Sequence, residues 1–413
     1  MRMTDELGAW AARQRWYAGK SHDPRFRILD AQEVPGATRY LLMDDAGSLP
    51  TLYNVPVARV AHAAESDAVI GGDGDETLVD AARHPDFTIG MLADMGIDVS
   101  GVTGSRVLTG EQSNTSIVYD VEGEPRIILK LFRTLHHGEN PDVTVQRVLS
   151  EADSPYVPRF YGSLDAEWPD VGRDGGRAHG TVGFAQEFLA GVRDGWAVAL
   201  EAAAEGRDFT DAARDLGIAV AGVHGALGAS LETVDAASEE VVATGGAWRR
   251  RLRIAATEVP AVAERLDAIT AVYRAALDRP WPRLQRIHGD LHLGQVLAVP
   301  GGGWRIVDFE GEPLRPMAER AIPDLPPRDV AGMLRSFDYA SAVGGGPDAA
   351  QWATACRDAF VDAYVGAPGS VELEPALLRA LVLDKAVYES IYEARNRPDW
   401  LPVPLAGIDA ALS

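Results

Sequence analysis

One stretch constrains this chain more than any other: Ile287-His288-Gly289-Asp290-Leu291-His292-Leu293-Gly294-Gln295-Val296-Leu297, answered by Ile306-Val307-Asp308-Phe309-Glu310. Val296–Val299 and Trp304–Val307 read as two short strands around the turn Pro300-Gly301-Gly302-Gly303. A hairpin folds back on itself, so Asp308 must return beside Gln295. An acid, an amide five residues on and a second acid 13 residues after the amide form the spacing of a phosphoryl-transfer site. In that pattern Asp290 takes the proton of an acceptor hydroxyl. Gln295 and Asp308 offer oxygens to one hard cation, Mg²⁺.

The rest of the sequence gives this loop a setting. At 413 residues the chain can hold two or three domains with sizeable cores. A net charge of −22 argues against nucleic acid, which needs a basic surface. It does not exclude ATP, whose charge a lysine, backbone amides and Mg²⁺ can meet locally. Cys356 is the single cysteine and has no intrachain partner, which fits a reducing cytosol. Asp5 and Glu6 near the start do not suit a secretory signal, and no run approaches the ~20 apolar residues of a membrane span. The expectation is a cytoplasmic protein; nothing in the sequence sets its oligomeric state.

In chain order, residues 4–18 read as an amphipathic helix with Leu7, Trp10, Ala11 and Gln14 on one side. It ends in Arg15-Trp16-Tyr17-Ala18-Gly19-Lys20, read as a packed Trp16 with Arg15 and Lys20 in solvent. Strands are expected at 26–33, 38–43, 51–60 and 66–70, then a helix around 76–95. The turn Gly71 to Glu76 is acidic but lacks the ligand register of a calcium loop. These segments make a β-rich domain over 1–96.

Residues 97–189 read as a nucleotide-binding part. Val107 to Tyr119 is strand, polar turn, strand, in which Ser113, Asn114, Thr115 and Ser116 could cover phosphates; a plain hairpin is the alternative. Arg126 to Phe132 is an apolar strand with Lys130 inside it, either snorkelling at an edge or held for the α/β-phosphates. The helix opening at Asn140-Pro141-Asp142 carries Thr144, Gln146 and Arg147 where a kinase-like lobe has the glutamate that holds the lysine, so the partner of Lys130 stays open. Gln186 and Glu187 fall where a hinge would meet adenine, or are exposed strand positions.

Residues 190–413 turn helical. Leu216, Val220, Val223 and Leu227 form a core stripe with His224 packed beside it. Residues 248–278 read as a helical pair with Arg249–Arg251 solvated, and His288 braces its loop. Glu310 and Glu312 are turn carboxylates within reach of metal or acceptor. Further on, Lys385, Glu389, Glu393 and Arg397 lie at i, i+4 spacing, the pattern of a surface salt-bridge ladder. Yet Tyr388, Tyr392 and Trp400 accompany them, and carboxylates with an aromatic face suit a sugar. Gly-rich turn, strand lysine, hinge, helical region, catalytic loop, hairpin and metal Asp occur in one order, which points to a phosphotransferase.

On these segments the chain resembles the actinobacterial maltokinases and maltokinase-like sugar kinases, relatives of the aminoglycoside phosphotransferases. The carrying residues are Gln14 to Lys20, Glu111 to Ser116, His288 to Leu297, Asp308 to Pro313, Arg328 to Tyr339 and Asp384 to Pro404. The resemblance implies an α+β, bilobal, eukaryotic-protein-kinase-like fold with an extra N-terminal cap and a mostly helical C-terminal lobe. It implies ATP and Mg²⁺, Asp290 as base, Gln295 and Asp308 as metal ligands and Lys130 at the phosphates. It also places a free sugar against Glu389, Glu393 and Trp400. Trimmed loops and an acidic acceptor region favour glucosamine, giving glucosamine 6-phosphate, over maltose, giving maltose 1-phosphate. The cap speaks against an aminoglycoside kinase, and the retained Asp290 and Asp308 against an inactive binding module.

Overall fold

The computed structural model describes residues 2–47, 49–61, 68–73, 75–108, 113–312 and 315–413. Part of the polar turn at Thr109–Gln112, with Gly74, the first residues of the 66–70 strand and Pro313, lies outside the described residues. The chain forms two compact units, Met1–Arg147 with Pro158–Ala190, and Val148–Val157 with Gly191–Ser413.

In the first unit, α1 (Arg2–Ala11) precedes the strands β1 (Phe26–Val34), β2 (Ala37–Asp44), β3 (Thr51–Val60), β4 (Val69–Asp73) and β5 (Glu76–Asp80). These pair in the order β1-β2-β3-β5-β4. After α2 (Pro85–Asp94) come β6 (Val102–Val107), β7 (Asn114–Val121), β8 (Glu124–Phe132), β9 (Thr134–Leu135), α3 (Pro141–Glu151), β10 (Phe160–Pro169) and β11 (Arg177–Glu187). A second antiparallel sheet runs β10-β11-β8-β7-β6, while β9 returns to the first sheet beside β3. One core packs Leu7, Trp10, Trp16 and Tyr17 onto Tyr53, Val55 and Val57. Another packs Phe87, Met91 and Leu92 of α2 against Ile117, Leu129 and Leu131.

Two expectations need correction here. The first helix stops at Ala11, not 18. At roughly 100° per residue, a helix carried through Trp16 would swing that ring about 240° from Trp10. Instead the chain tightens into i to i−3 turns at Arg13 and Gln14, and both indoles enter one core. Residues 76–80 are β5 rather than the start of a helix. Thr77, Leu78 and Val79 suit a strand, and Pro85 at the first helical position marks where α2 begins.

The second unit carries β12 (Arg193–Asp194), α4 (Gly195–Glu205), α5 (Thr210–Ser230), α6 (Ser238–Glu258), α7 (Pro260–Ala263), α8 (Leu266–Leu277), β13 (Val296–Ala298), β14 (Trp304–Ile306), α9 (Met317–Arg320), α10 (Pro327–Gly344), α11 (Ala349–Gly366), α12 (Pro375–Asn396) and α13 (Pro402–Leu412). The α5 stripe Leu216, Val220, Val223 and Leu227 is buried, as its spacing predicts. The expected 248–278 pair begins earlier, at Ser238, and Arg251 is not solvated: it pairs with the buried carboxylate of Asp384. No helix among the described residues is long and apolar enough to cross a membrane.

Candidate active site

The expected hairpin forms with a five-residue connection, so Val296 lies opposite Ile306 rather than Val307, and the Val307 N–H donates to the Gln295 carbonyl at 3.0 Å. Asp308 follows at once, in a left-handed conformation (φ 67°) that turns the chain out of the strand. Gln295 and Asp308 thus stand side by side at one end of a two-stranded ribbon. Their amide and carboxylate oxygens are the hard donors that Mg²⁺ accepts, so the pair fits that ion chemically.

His288, Asp329 and Gly332 each help to hold the loop ahead of it. His288 presents Nδ1 to the Asp290 N–H at 3.3 Å and Nε2 to the Val307 carbonyl at 3.0 Å. His288 is thus a strut between loop and hairpin. Asp329, at the start of α10 and 2% exposed, accepts from His288 N–H at 2.8 Å and Gly289 N–H at 2.9 Å. Its Oδ2 also meets His224 Nε2 at 3.1 Å, and His224 Nδ1 meets Tyr364 Oη at 2.9 Å. Gly332 then lets α10 lie against the Leu291 carbonyl, where any Cβ would collide.

Asp290 is met by Lys385 of α12, Nζ to Oδ1 at 3.3 Å. Burial works against the Lys385 ammonium, yet Asp290, Glu389 and Glu312 outweigh it and raise its pKa above the ordinary lysine value. Both groups line a cleft of about 500 Å³ with Glu312, Tyr388, Glu389, Glu393 and Trp400. Glu389 takes two bonds from the buried Arg335, at 2.9 and 2.7 Å, both on Oε2. Burial nevertheless lifts its pKa above the usual carboxylate value, against the pull of Arg335 and Lys385. Glu393, 1% exposed, is held by Arg397 at 2.9 and 2.7 Å and by the Tyr339 hydroxyl at 3.1 Å. The Arg397 guanidinium covers the Trp400 ring at 4.3 Å. The expected surface ladder is therefore no ladder. Among its members only Glu393 and Arg397 pair with each other; Lys385 and Glu389 turn to other elements.

Of the two turn carboxylates Glu310 and Glu312, it is Glu312 that lines this cleft. In the first unit Lys130 finds its partner in Asp142, Nζ to Oδ2 at 2.9 Å, at the helix start rather than in its interior. Ser116 faces Lys130 across the strand pair. Ser113 Oγ accepts from Asn114 Nδ2 at 3.3 Å, and Thr115 Oγ1 accepts from Arg133 Nε at 2.8 Å. Gln186 Oε1 accepts from Gln146 Nε2 at 2.6 Å, and Glu187 Oε2 accepts from the Arg159 N–H at 3.3 Å.

Asp142, Asp329 and Lys385 join these groups only through the fold. Asp142 carried a signal, a carboxylate in the first turn of the helix that follows the lysine strand. Lys385 and Asp329 carried none that their neighbours lacked, since both act on a loop distant in sequence.

Comparison with known proteins gives the family of the chain. The profile of the phosphotransferase enzyme family (APH) matches residues 105–370, and that of the maltokinase N-terminal cap domain matches residues 10–83. A glucosamine kinase of Streptacidiphilus jiangxiensis is 31% identical over 364 residues, 81% of this chain and 80% of the relative. A glucosamine kinase of Mycolicibacterium smegmatis is 28% identical, with 93% of this chain and 98% of the relative covered. A solved glucosamine kinase in complex with glucosamine, ADP and inorganic phosphate has the same fold, with a TM-score of 0.71 at 22% identity over 98% of this chain and 99% of that one. The fold is thus protein-kinase-like, antiparallel sheets followed by a helical part, and the chain belongs to the phosphotransferase enzyme family, with a maltokinase-type cap at its N-terminal end.

Proposed function

We propose that this protein is an ATP-dependent glucosamine kinase that forms glucosamine 6-phosphate in the cytoplasm. The observation that carries the acceptor is the composition of the cleft around Asp290. Four carboxylates line it (Asp290, Glu312, Glu389 and Glu393), each with one cation against it (Lys385, Arg315, Arg335 and Arg397), and Tyr388, Tyr392, Trp196 and Trp400 stand around them. A cationic amino sugar finds carboxylate acceptors there, and its ring has flat apolar walls to lie on. Glu393 is already saturated by Arg397 and Tyr339. Glu389 Oε1 accepts no hydrogen bond among the described residues, so it is the natural acceptor for the ammonium.

Asp290 accepts the proton of the 6-hydroxyl as its oxygen attacks the γ-phosphorus and ADP leaves. Lys385 fixes the orientation of that carboxylate. Lys130, aligned by Asp142, takes the α/β-phosphates. Ser116 faces it across the strand pair, with Ser113 and Asn114 where that strand begins, whereas Thr115 turns to the opposite face; Gln186 and Glu187 are proposed for adenine. Gln295 and Asp308 would hold Mg²⁺, which when bound neutralises charge on the β- and γ-phosphates.

Steady-state ADP release with glucosamine, N-acetylglucosamine and maltose tests the acceptor. Acetylation removes the charge, so kcat/KM should fall about 10- to 100-fold from glucosamine to its N-acetyl form. Maltose as the preferred acceptor would replace this proposal with maltose 1-phosphate synthesis. For the nucleotide side, Asp142→Ala leaves Lys130 without its carboxylate and should raise the KM for ATP about tenfold, the worth of one charge-assisted contact. An unchanged KM would remove Lys130 from the phosphate site.

A further inference from the structure

The Arg15 to Lys20 cluster is not used by the reaction, and it borders a cavity of its own. In the first unit the end of α1 and the turn after it, with Val69, Asp80 and Arg83, Val107 and Leu108, and Asn114 and Thr115, enclose about 400 Å³. Four arginines line it, Arg13, Arg15, Arg83 and Arg133, against one carboxylate among the described residues, Asp80. Arg13, Arg15 and Arg83 are exposed and stand at the entrance. Trp10 and Trp16 supply flat apolar wall.

Arg133 puts a buried cation in the wall of the cavity. It is 0% exposed, with Nη2 on Asp80 Oδ2 at 2.5 Å, Nε on Thr115 Oγ1 at 2.8 Å and the Trp16 ring 5.2 Å from its guanidinium carbon. Its Nη1 is buried without a hydrogen-bond partner. The backbone is pinned as well: the Asn54 N–H donates to the Arg133 carbonyl at 2.8 Å and Asn54 Nδ2 to the Phe132 carbonyl at 3.0 Å. A buried guanidinium with one vacant donor is costly unless an acceptor arrives, and a phosphate presents oxygens in the geometry of that fork. On a chain of net charge −22 a small anion is repelled at long range, so local arginines must do the recognising.

The cavity is not the phosphate site of the reaction. Side chains alternate along a strand, so Thr115 and Ser116 of β7 point to opposite faces, and Arg133, in the bend after β8, donates Nε to Thr115 Oγ1. Thr115 pairs with Leu131, whereas Ser116 pairs with Lys130. Arg133 and Thr115 therefore work on one face of the sheet, and Lys130 with Asp142 on the other.

We propose that this cavity is a second binding site, for a small phosphate-bearing anion. Isothermal titration of the full-length protein with inorganic phosphate and, separately, with glucose 6-phosphate tests it, against Arg13→Gln/Arg83→Gln. Both substituted residues are exposed and lie outside the reaction's machinery, and an unchanged melting temperature checks that the variant folds. The expected result is saturable binding of at least one probe to the wild type, weakened by about tenfold or more in the double variant, with ATP binding unaltered. Phosphate alone sufficing identifies the phosphoryl group as the recognised part; a need for glucose 6-phosphate assigns the tryptophans a role with the sugar. No saturable binding of either probe, or equal affinity in the double variant, overturns the proposal.

Discussion

Asp290→Asn turns over about 10²–10⁴-fold more slowly than the wild type, the range for loss of a general base. Asparagine keeps the size of the side chain and can still accept a hydrogen bond from Lys385, which lies 3.3 Å from Oδ1. It cannot take the proton of the acceptor hydroxyl. The loop should survive the change, because its attachments run through His288 and through Asp329 to the backbone rather than through the Asp290 carboxylate. Steady-state kinetics should therefore show the loss in kcat with little change in the KM for glucosamine, and thermal melting should show a folded protein. A variant within a few-fold of wild-type kcat would remove Asp290 from the chemistry.

Asp329→Ala has the second large effect, and it acts on stability first. The buried carboxylate serves two backbone N–H groups, that of buried His288 and that of half-buried Gly289, and faces buried His224. Each buried donor left without an acceptor costs about 1–3 kcal/mol, so the loss should be about 3 kcal/mol or more even with partial relaxation. Urea denaturation should show it as a lowered midpoint with the slope unchanged. Activity should fall as well, since Gly289 (φ 83°) and the loop around it lose the anchor that positions Asp290. Asp329→Asn keeps one acceptor oxygen and should fall between the two. An alanine variant as stable as the wild type would mean that the loop is held by other contacts.

Much of this was legible in the sequence because it was local. The hairpin, the neighbouring positions of Gln295 and Asp308, and the α5 stripe each follow from a short run of residues and a known period. The errors share a different cause. The helix over 4–18 was extended on its apolar spacing, while the burial of Trp16 and Tyr17 with Tyr53 decided where it stops. Arg251 was placed in solvent by its neighbours Arg249 and Arg250, and Asp384, 133 residues on, determined otherwise. The α12 charges kept the spacing of a surface ladder, yet Arg335 and Asp290, on other elements, claim Glu389 and Lys385. Turn chemistry and periodicity carry over about ten residues; ion pairs formed on folding do not announce their partners in the chain.

The most direct test of the central claim is ³¹P and ¹H NMR of one reaction, the protein with glucosamine, ATP and Mg²⁺. The account predicts that ATP is converted to ADP with the appearance of one phosphomonoester resonance, in equal amount, coupled to the two protons on carbon 6 of glucosamine. ATP left intact, ADP released with free phosphate only, or a phosphorylated product formed from maltose but not from glucosamine would contradict it.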